Sequence, residues 1–119
     1  MLALEEWHDS FGGAPEKSLR IIAREIDWQS FWRSLDRSEP ARFIDGANEA
    51  VVASLGLRPT GGFGIALIDA HIRDNRVRLI FAEVMPAKDA FVSQALTQPW
   101  AVFLLESKGR TLDARWEDR

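Results

Sequence analysis

The 119-residue sequence predicts a mainly β domain, α+β by element count: an antiparallel β-sandwich or open barrel, the immunoglobulin-like sandwich included, with one short helix near residues 27–36. Three observations predict it. From Ala41 onward, β-branched and apolar runs are separated by short turn signals. Only one apolar stripe has helical spacing, and it comes early. Successive strands joined by tight turns favour hairpins over βαβ crossovers. The length suits one domain over 1–119, with 1–17 as a candidate irregular arm. A chain of this size buries roughly two thirds of its unfolded surface, enough for a core without staples.

The elements follow in order. Leu2 to Phe11 reads as a short strand or as an irregular arm, and "GGAP" punctuates it. "SLRIIAREI", Ser18 to Ile26, is rich in isoleucine and reads as a strand. "DWQSFWRSL" reads as the helix. Asp27 is placed to cap its N-terminus. Trp28, Phe31, Trp32 and Leu35 fall at i, i+3, i+4 and i+7 on one stripe. Pro40 disfavours helix in the residue before it. So short a helix is marginal alone and must pack through its tryptophans. "RFID" (42–45) reads as a short edge strand. "AVVASLGL", Ala50 to Leu57, reads as a strand with Gly56 at a bulge or close approach. "GFGIALIDAHIR" and "RVRLIFAEVM" flank Asp74 and Asn75, which suit a hairpin turn. Arg76 and Arg78 alternate with Val77, Leu79 and Phe81, so one face is wet. Pro86 to Pro99 is a long connection whose Phe91, Val92 and Leu96 should pack down in part. "WAVFLLES" is a strand, Lys108 and Gly109 turn, and "RTLDARW" returns as the last strand.

Composition narrows the function classes. The net charge is −3 and the signs are mixed. No basic block exists to displace counterions from nucleic acid. There is no cysteine, so disulfides, thiolate nucleophiles and cysteine-bound zinc are excluded. "MLALEEWHDS" has acids where a signal peptide needs a basic patch, and no apolar run approaches the ~20 residues of a membrane span. As written the chain reads as soluble and cytoplasmic; a protein whose leader has been removed reads the same. Most of the five tryptophans should be core anchors.

Candidate chemistry centres on "GLRPTGGFGIAL", Gly56 to Leu67. A phosphate loop needs its glycines to open a helix and a following Gly-Lys-Ser/Thr. Here a strand follows and no lysine is near. Two readings stay open. One is a turn, with Pro59 fixing φ and Gly61 or Gly62 supplying φ > 0. The other is a side-chain-poor loop that a protein partner approaches closely. "LTQPW" is the second such stretch: Trp100 either plugs the core or anchors a partner. His8, Asp9 and Ser10 only mimic triad letters, since a triad is geometry across a fold. Asp69 and His71 share a strand face but lack a nucleophile or third partner. Two scattered histidines cannot supply the converging ligands of a metal site. No catalytic set, metal or cofactor is expected, and the chain reads as a non-enzyme.

"DWQSFW", "GLRPTGGFGIAL" and "LTQPWAVFLL", in this order, resemble the PrcB C-terminal domain family, over roughly Ser18 to Asp113. Its members carry an early tryptophan-rich helix, a Gly-x-Arg-Pro-Thr-Gly-Gly-aromatic segment and a Leu-Thr-x-Pro-aromatic segment. The family is named for a subunit of a bacterial surface protease complex that binds and stabilises its protease. A more distant similarity is to chagasin-like inhibitors of papain-type proteases. Pro59, Thr60, Gly62 and Phe63 match their first loop, where Arg58 and Gly61 depart. Pro99 and Trp100 match their second, where Gln98 replaces arginine. "PAKDAFVSQA" has no counterpart to their third, glycine-rich loop. The resemblance places both loops at one end of a sandwich. It implies a non-enzymatic domain that binds a protein partner, a protease, through Arg58, Pro59, Thr60, Gly61, Gly62, Phe63, Gln98, Pro99 and Trp100. It would inhibit or stabilise that protease. The alternative is a structural or homo-oligomeric module, monomer or homodimer, whose apolar late strands pair at an exposed edge.

Overall fold

The computed structural model describes residues 4–118. Seven strands and one helix follow one another: β1 (Leu4–Asp9), β2 (Glu16–Ile22), α1 (Glu25–Ser34), β3 (Glu49–Gly56), β4 (Gly64–Arg73), β5 (Arg76–Val84), β6 (Trp100–Leu105) and β7 (Thr111–Trp116). β3 and β6 organise the rest. Every residue of β6 is buried, and in β3 all but Glu49 are. Strands with no wet face must be covered on both sides. Accordingly they lie side by side inside an antiparallel sheet of order β1-β6-β3-β2.

Side chains alternate across a strand. Val51, Ala53, Leu55, Ala101, Phe103 and Leu105 therefore face the second sheet, where Val77, Leu79 and Phe81 meet them. Ala50, Val52, Trp100, Val102 and Leu104 face the other way, beneath α1. Three layers result: helix, first sheet, second sheet.

The second sheet runs β4-β5-β7. Asp74, at φ 55, turns the β4–β5 hairpin as expected. The last strand departs from expectation. Lys108 and Gly109 do turn, at φ 51 and 79. The chain then leaves β6 and β7 pairs parallel to β5. Both edges of β6 are already taken by β1 and β3, so no hairpin position is left. On β5, Leu112, Ala114 and Trp116 instead reach the inter-sheet core. The sheets pack as an open sandwich and do not close into a barrel. Their strand orders differ from the ABED and CFG orders of the immunoglobulin sandwich. Because β6 is interior, it is not the exposed apolar edge envisaged for a homodimer.

Toward the N-terminus, the strand alternative is the one that forms from Leu4, paired to β6, so 1–17 is not an irregular arm over its described part. Met1 to Ala3 lie outside the described residues. β2 ends at Ile22 rather than Ile26, because α1 starts at Glu25. Asp27 is thus not the N-cap but lies in the first turn. The Glu25 N–H donates instead to Asp45 Oδ1 at 2.6 Å. The helix stops before Pro40. Asp36 takes φ 55. The Arg37 N–H then donates to the Trp32 carbonyl and the Asp36 N–H to that of Arg33, a Schellman closure with aspartate in the glycine position. "RFID" forms no strand. Phe43 is buried in the aromatic layer. The Ile44 carbonyl accepts from Ala47 and Asn48, and its N–H donates to Asn48 Oδ1, so a local turn consumes the groups a ladder needs.

Candidate functional site

Strand directions bring three loops to one end: residues 10–15, 57–63 and 85–99. The middle loop leaves β3 at Gly56, whose φ is +79 and whose missing Cβ would sit 3.0 Å from the Lys17 nitrogen. This is the close approach that the sequence suggests.

Backbone bonds then join the loops. Arg58 and Thr97 exchange two, at 2.8 and 2.9 Å. Thr97 Oγ1 donates to the Thr60 carbonyl at 2.9 Å. The Gly61 N–H donates to the Ser93 carbonyl at 2.8 Å. The positive φ falls at Gly62 and not Gly61, and Gly62 nests between Pro86 and Val92. The first loop joins through the Gly13 N–H to the Gln98 carbonyl and the Gln98 N–H to the Ser10 carbonyl.

Beneath this end two cations converge on Glu83. Arg58 Nε donates to Glu83 Oε2 at 2.8 Å and its NH2 to Oε1 at 2.9 Å. The guanidinium lies over the Phe63 ring, and Lys17 stands 3.6 Å from Glu83. The hydrogen bond from Arg58 holds the Glu83 carboxyl below its ordinary range against the opposing effect of burial. The same bond raises the Arg58 value. A cavity of about 330 Å³ opens alongside, lined by Lys17, Glu83, Met85 and Trp116 among others.

The predicted site residues separate into two groups. Arg58, Pro59, Thr60, Gly61, Gly62, Phe63 and Gln98 gather at this end, with Pro59 and Gly62 the exposed members. Pro99 and Trp100 are buried. Trp100 is 2% exposed and its Nε1–H donates to the Phe11 carbonyl at 2.7 Å. Strand alternation explains this: with Phe103 in the inter-sheet core, Trp100 must point under α1, against Phe31 and Trp32. It plugs the core and is no partner anchor.

Other residues take its place at the surface. Leu57, Met85, Leu96 and Phe91 are exposed, Phe91 fully at 107%. The connection packs down in part, as the sequence suggests: Val92 is half-buried against Gly62, while Phe91 and Leu96 stay exposed. The available signal was the length of the connection, since long loops without their own secondary structure tend to carry function.

The other candidate chemistry does not assemble. Asp69 and His71 are both exposed on β4. His8 bonds Glu6, while Asp9 accepts from the Phe11 N–H and Arg37. Among the described residues no cluster of three or more acids and histidines could hold a metal ion. Among them, too, no helix is long and apolar enough to cross a membrane.

Compared with known proteins, residues 50–106 match the family model described as PrcB C-terminal. This bears out the resemblance drawn from "GLRPTGGFGIAL" and "LTQPWAVFLL", which lie inside the matched segment; "DWQSFW" lies before it. No curated protein and no solved structure matches the chain.

Proposed function

We propose, taking the PrcB C-terminal match over residues 50–106 as premise, that this chain is a non-enzymatic domain that binds a protease or protease-complex partner with its loop end. One observation carries the proposal. The 57–63 and 85–99 loops meet at the Arg58–Thr97 bridge and hold Leu57, Met85, Phe91 and Leu96 in solvent around a hydrogen-bonded backbone. Loops already fixed lose little entropy on binding. A protruding aromatic on such a base is the kind of group that dominates interface energies. Leu57, Met85, Phe91 and Leu96 are the anchors, with Pro59, Thr60 and Gly62 offering backbone around them. Arg58 acts from below, holding the loop to Glu83.

Two versions differ in outcome. As an inhibitor, the loop end enters a protease cleft. As a stabiliser, it caps a protease and binds only its folded form, which raises that protease's stability by mass action. A panel of proteases is incubated with the protein, and activity is followed with time and temperature. Immediate loss of activity indicates inhibition; longer survival on heating indicates stabilisation. Either effect should be lost in Phe91→Ala. No change in the activity, lifetime or binding of any protease would refute the proposal.

A further inference from the structure

We propose that the free edge of β4 is a self-association site, where two copies of this chain pair antiparallel through residues 69–73 about a twofold axis at His71. The surface lies at the end opposite the loops and is independent of the function proposed above. β4 is an outer strand of the second sheet and has 10 residues.

Its hydrogen-bonding phase follows from β7. The Thr111 N–H donates to the Asn75 carbonyl and the Glu117 N–H to that of Phe81, so the odd-numbered residues of β5 turn toward β7. Arg76, Arg78 and Ile80 therefore turn toward β4, where their partners are Arg73, His71 and Asp69. Ala70 and Ile72 are left with their N–H and C=O groups directed outward, available to another strand.

The side chains fit a copy of themselves. Ala70 and Ile72 lie opposite Leu79 and Val77, on the side facing the core. Val77 is fully buried, yet Ile72 is 38% exposed and Ala70 is exposed too. On the outer side Arg73 stands directly opposite Arg76, a repulsive pairing. Among the described residues Arg73 and Arg76 have no acid within ion-pair distance and Asp69 has no base; Arg78 has Asp113 at 3.4 Å. His71, Arg73, Arg76 and Arg78 line an open cavity of about 430 Å³ together with Asp74 and Asp113. Asp69 and Arg73 are four residues apart on one strand, roughly 13 Å, too far to pair with each other.

A twofold axis at His71 resolves both features. It sets Ala70 opposite Ile72 of the partner subunit and Asp69 opposite Arg73 of the partner subunit, each twice. The neighbouring registers do worse. An axis at Ala70 brings Ile68 into the ladder where a bulge interrupts β4, between Leu67 and Asp69. An axis at Ile72 sets Arg73 against His71. So short a ladder makes a weak dimer, formed at high protein concentration.

Sedimentation velocity over a concentration series tests this. The wild type should pass from monomer to dimer. Asp69→Arg should weaken dimerisation about tenfold or more, since it faces Arg73 across the axis. The double variant Asp69→Arg/Arg73→Asp should restore it. Ala70→Pro removes only the outward N–H and should leave a folded monomer, as circular dichroism would verify. A wild type that stays monomeric at every concentration overturns the proposal. So does a dimer that persists in folded Asp69→Arg.

Discussion

Replacing Gly62 by alanine tests whether the loop end is held as firmly as its hydrogen bonds imply. A Cβ at Gly62 would stand 2.8 Å from both Pro86 Cβ and Val92 Cγ1. The proline ring cannot rotate away, so the backbone must shift. Overpacking of this kind costs about 1–3 kcal/mol. The left-handed φ of +87 adds about 1 kcal/mol for a residue with a side chain. The total is about 2–4 kcal/mol, a large share of the stability of a domain this size. Gly46 supplies the control. Its φ of +83 is nearly the same, but nothing lies within 4 Å of its missing Cβ. Gly46→Ala should therefore cost only the conformational part, about 1 kcal/mol. Urea unfolding followed by circular dichroism measures both. If the two variants differ by less than about 0.5 kcal/mol, the loop is not packed against Pro86 and Val92 and the reasoning fails.

Further expectations concern the layers beneath. Trp100→Ala should destabilise by about 3–5 kcal/mol, since it opens a cavity under α1 and leaves the Phe11 carbonyl unpaired; a loss below 1 kcal/mol in urea unfolding would contradict its burial. Phe91→Ala should leave unfolding within about 0.5 kcal/mol of the parent while removing partner binding. Glu83→Gln should cost about 1–2 kcal/mol at neutral pH by weakening a largely buried charged pair. Because the Glu83 carboxyl is held low in the folded state, its contribution is present above the ordinary carboxyl range, about pH 4 to 5, and is lost as pH falls through the folded value. Parent and variant stabilities should converge in acid; a gap unchanged from pH 7 to pH 2 would refute the assignment.

How much of this was legible depended on whether the deciding contact was local. Trp28, Phe31, Trp32 and Leu35 declared the helix because their spacing is a property of the helix itself. Its N-terminus was misplaced because the group that binds the Glu25 N–H comes from Asp45, on a later loop. "RFID" has strand composition, but the turn made by Asn48 overrides it. The destination of β7 was hidden because Lys108 and Gly109 make the same local turn whichever sheet the chain joins. The meeting of the two site loops came through resemblance and not from periodicity. Within the site, β6 is apolar throughout, so its alternation gave no clue to which way Trp100 points. Which of Phe91, Val92 and Leu96 packs down was not legible, because an apolar residue in a loop carries no periodic signal to separate buried from displayed.

The aromatic layer under α1 has an optical consequence. Trp28 and Trp32 stand 5.5 Å apart, Trp32 and Trp100 5.8 Å, and Trp7 and Trp28 6.0 Å between ring centroids. At such separations indole transitions couple and excitation migrates among the rings. Emission from Trp7, Trp28, Trp32 and Trp100 is therefore a collective signal of the layer under α1. Trp116 stands apart, in the inter-sheet core with Lys17 over its ring. Bulk tryptophan fluorescence will thus follow the loosening of the helix layer. Trp116, packed against the inter-sheet core, is the tryptophan placed to report the opening of the sandwich between its sheets.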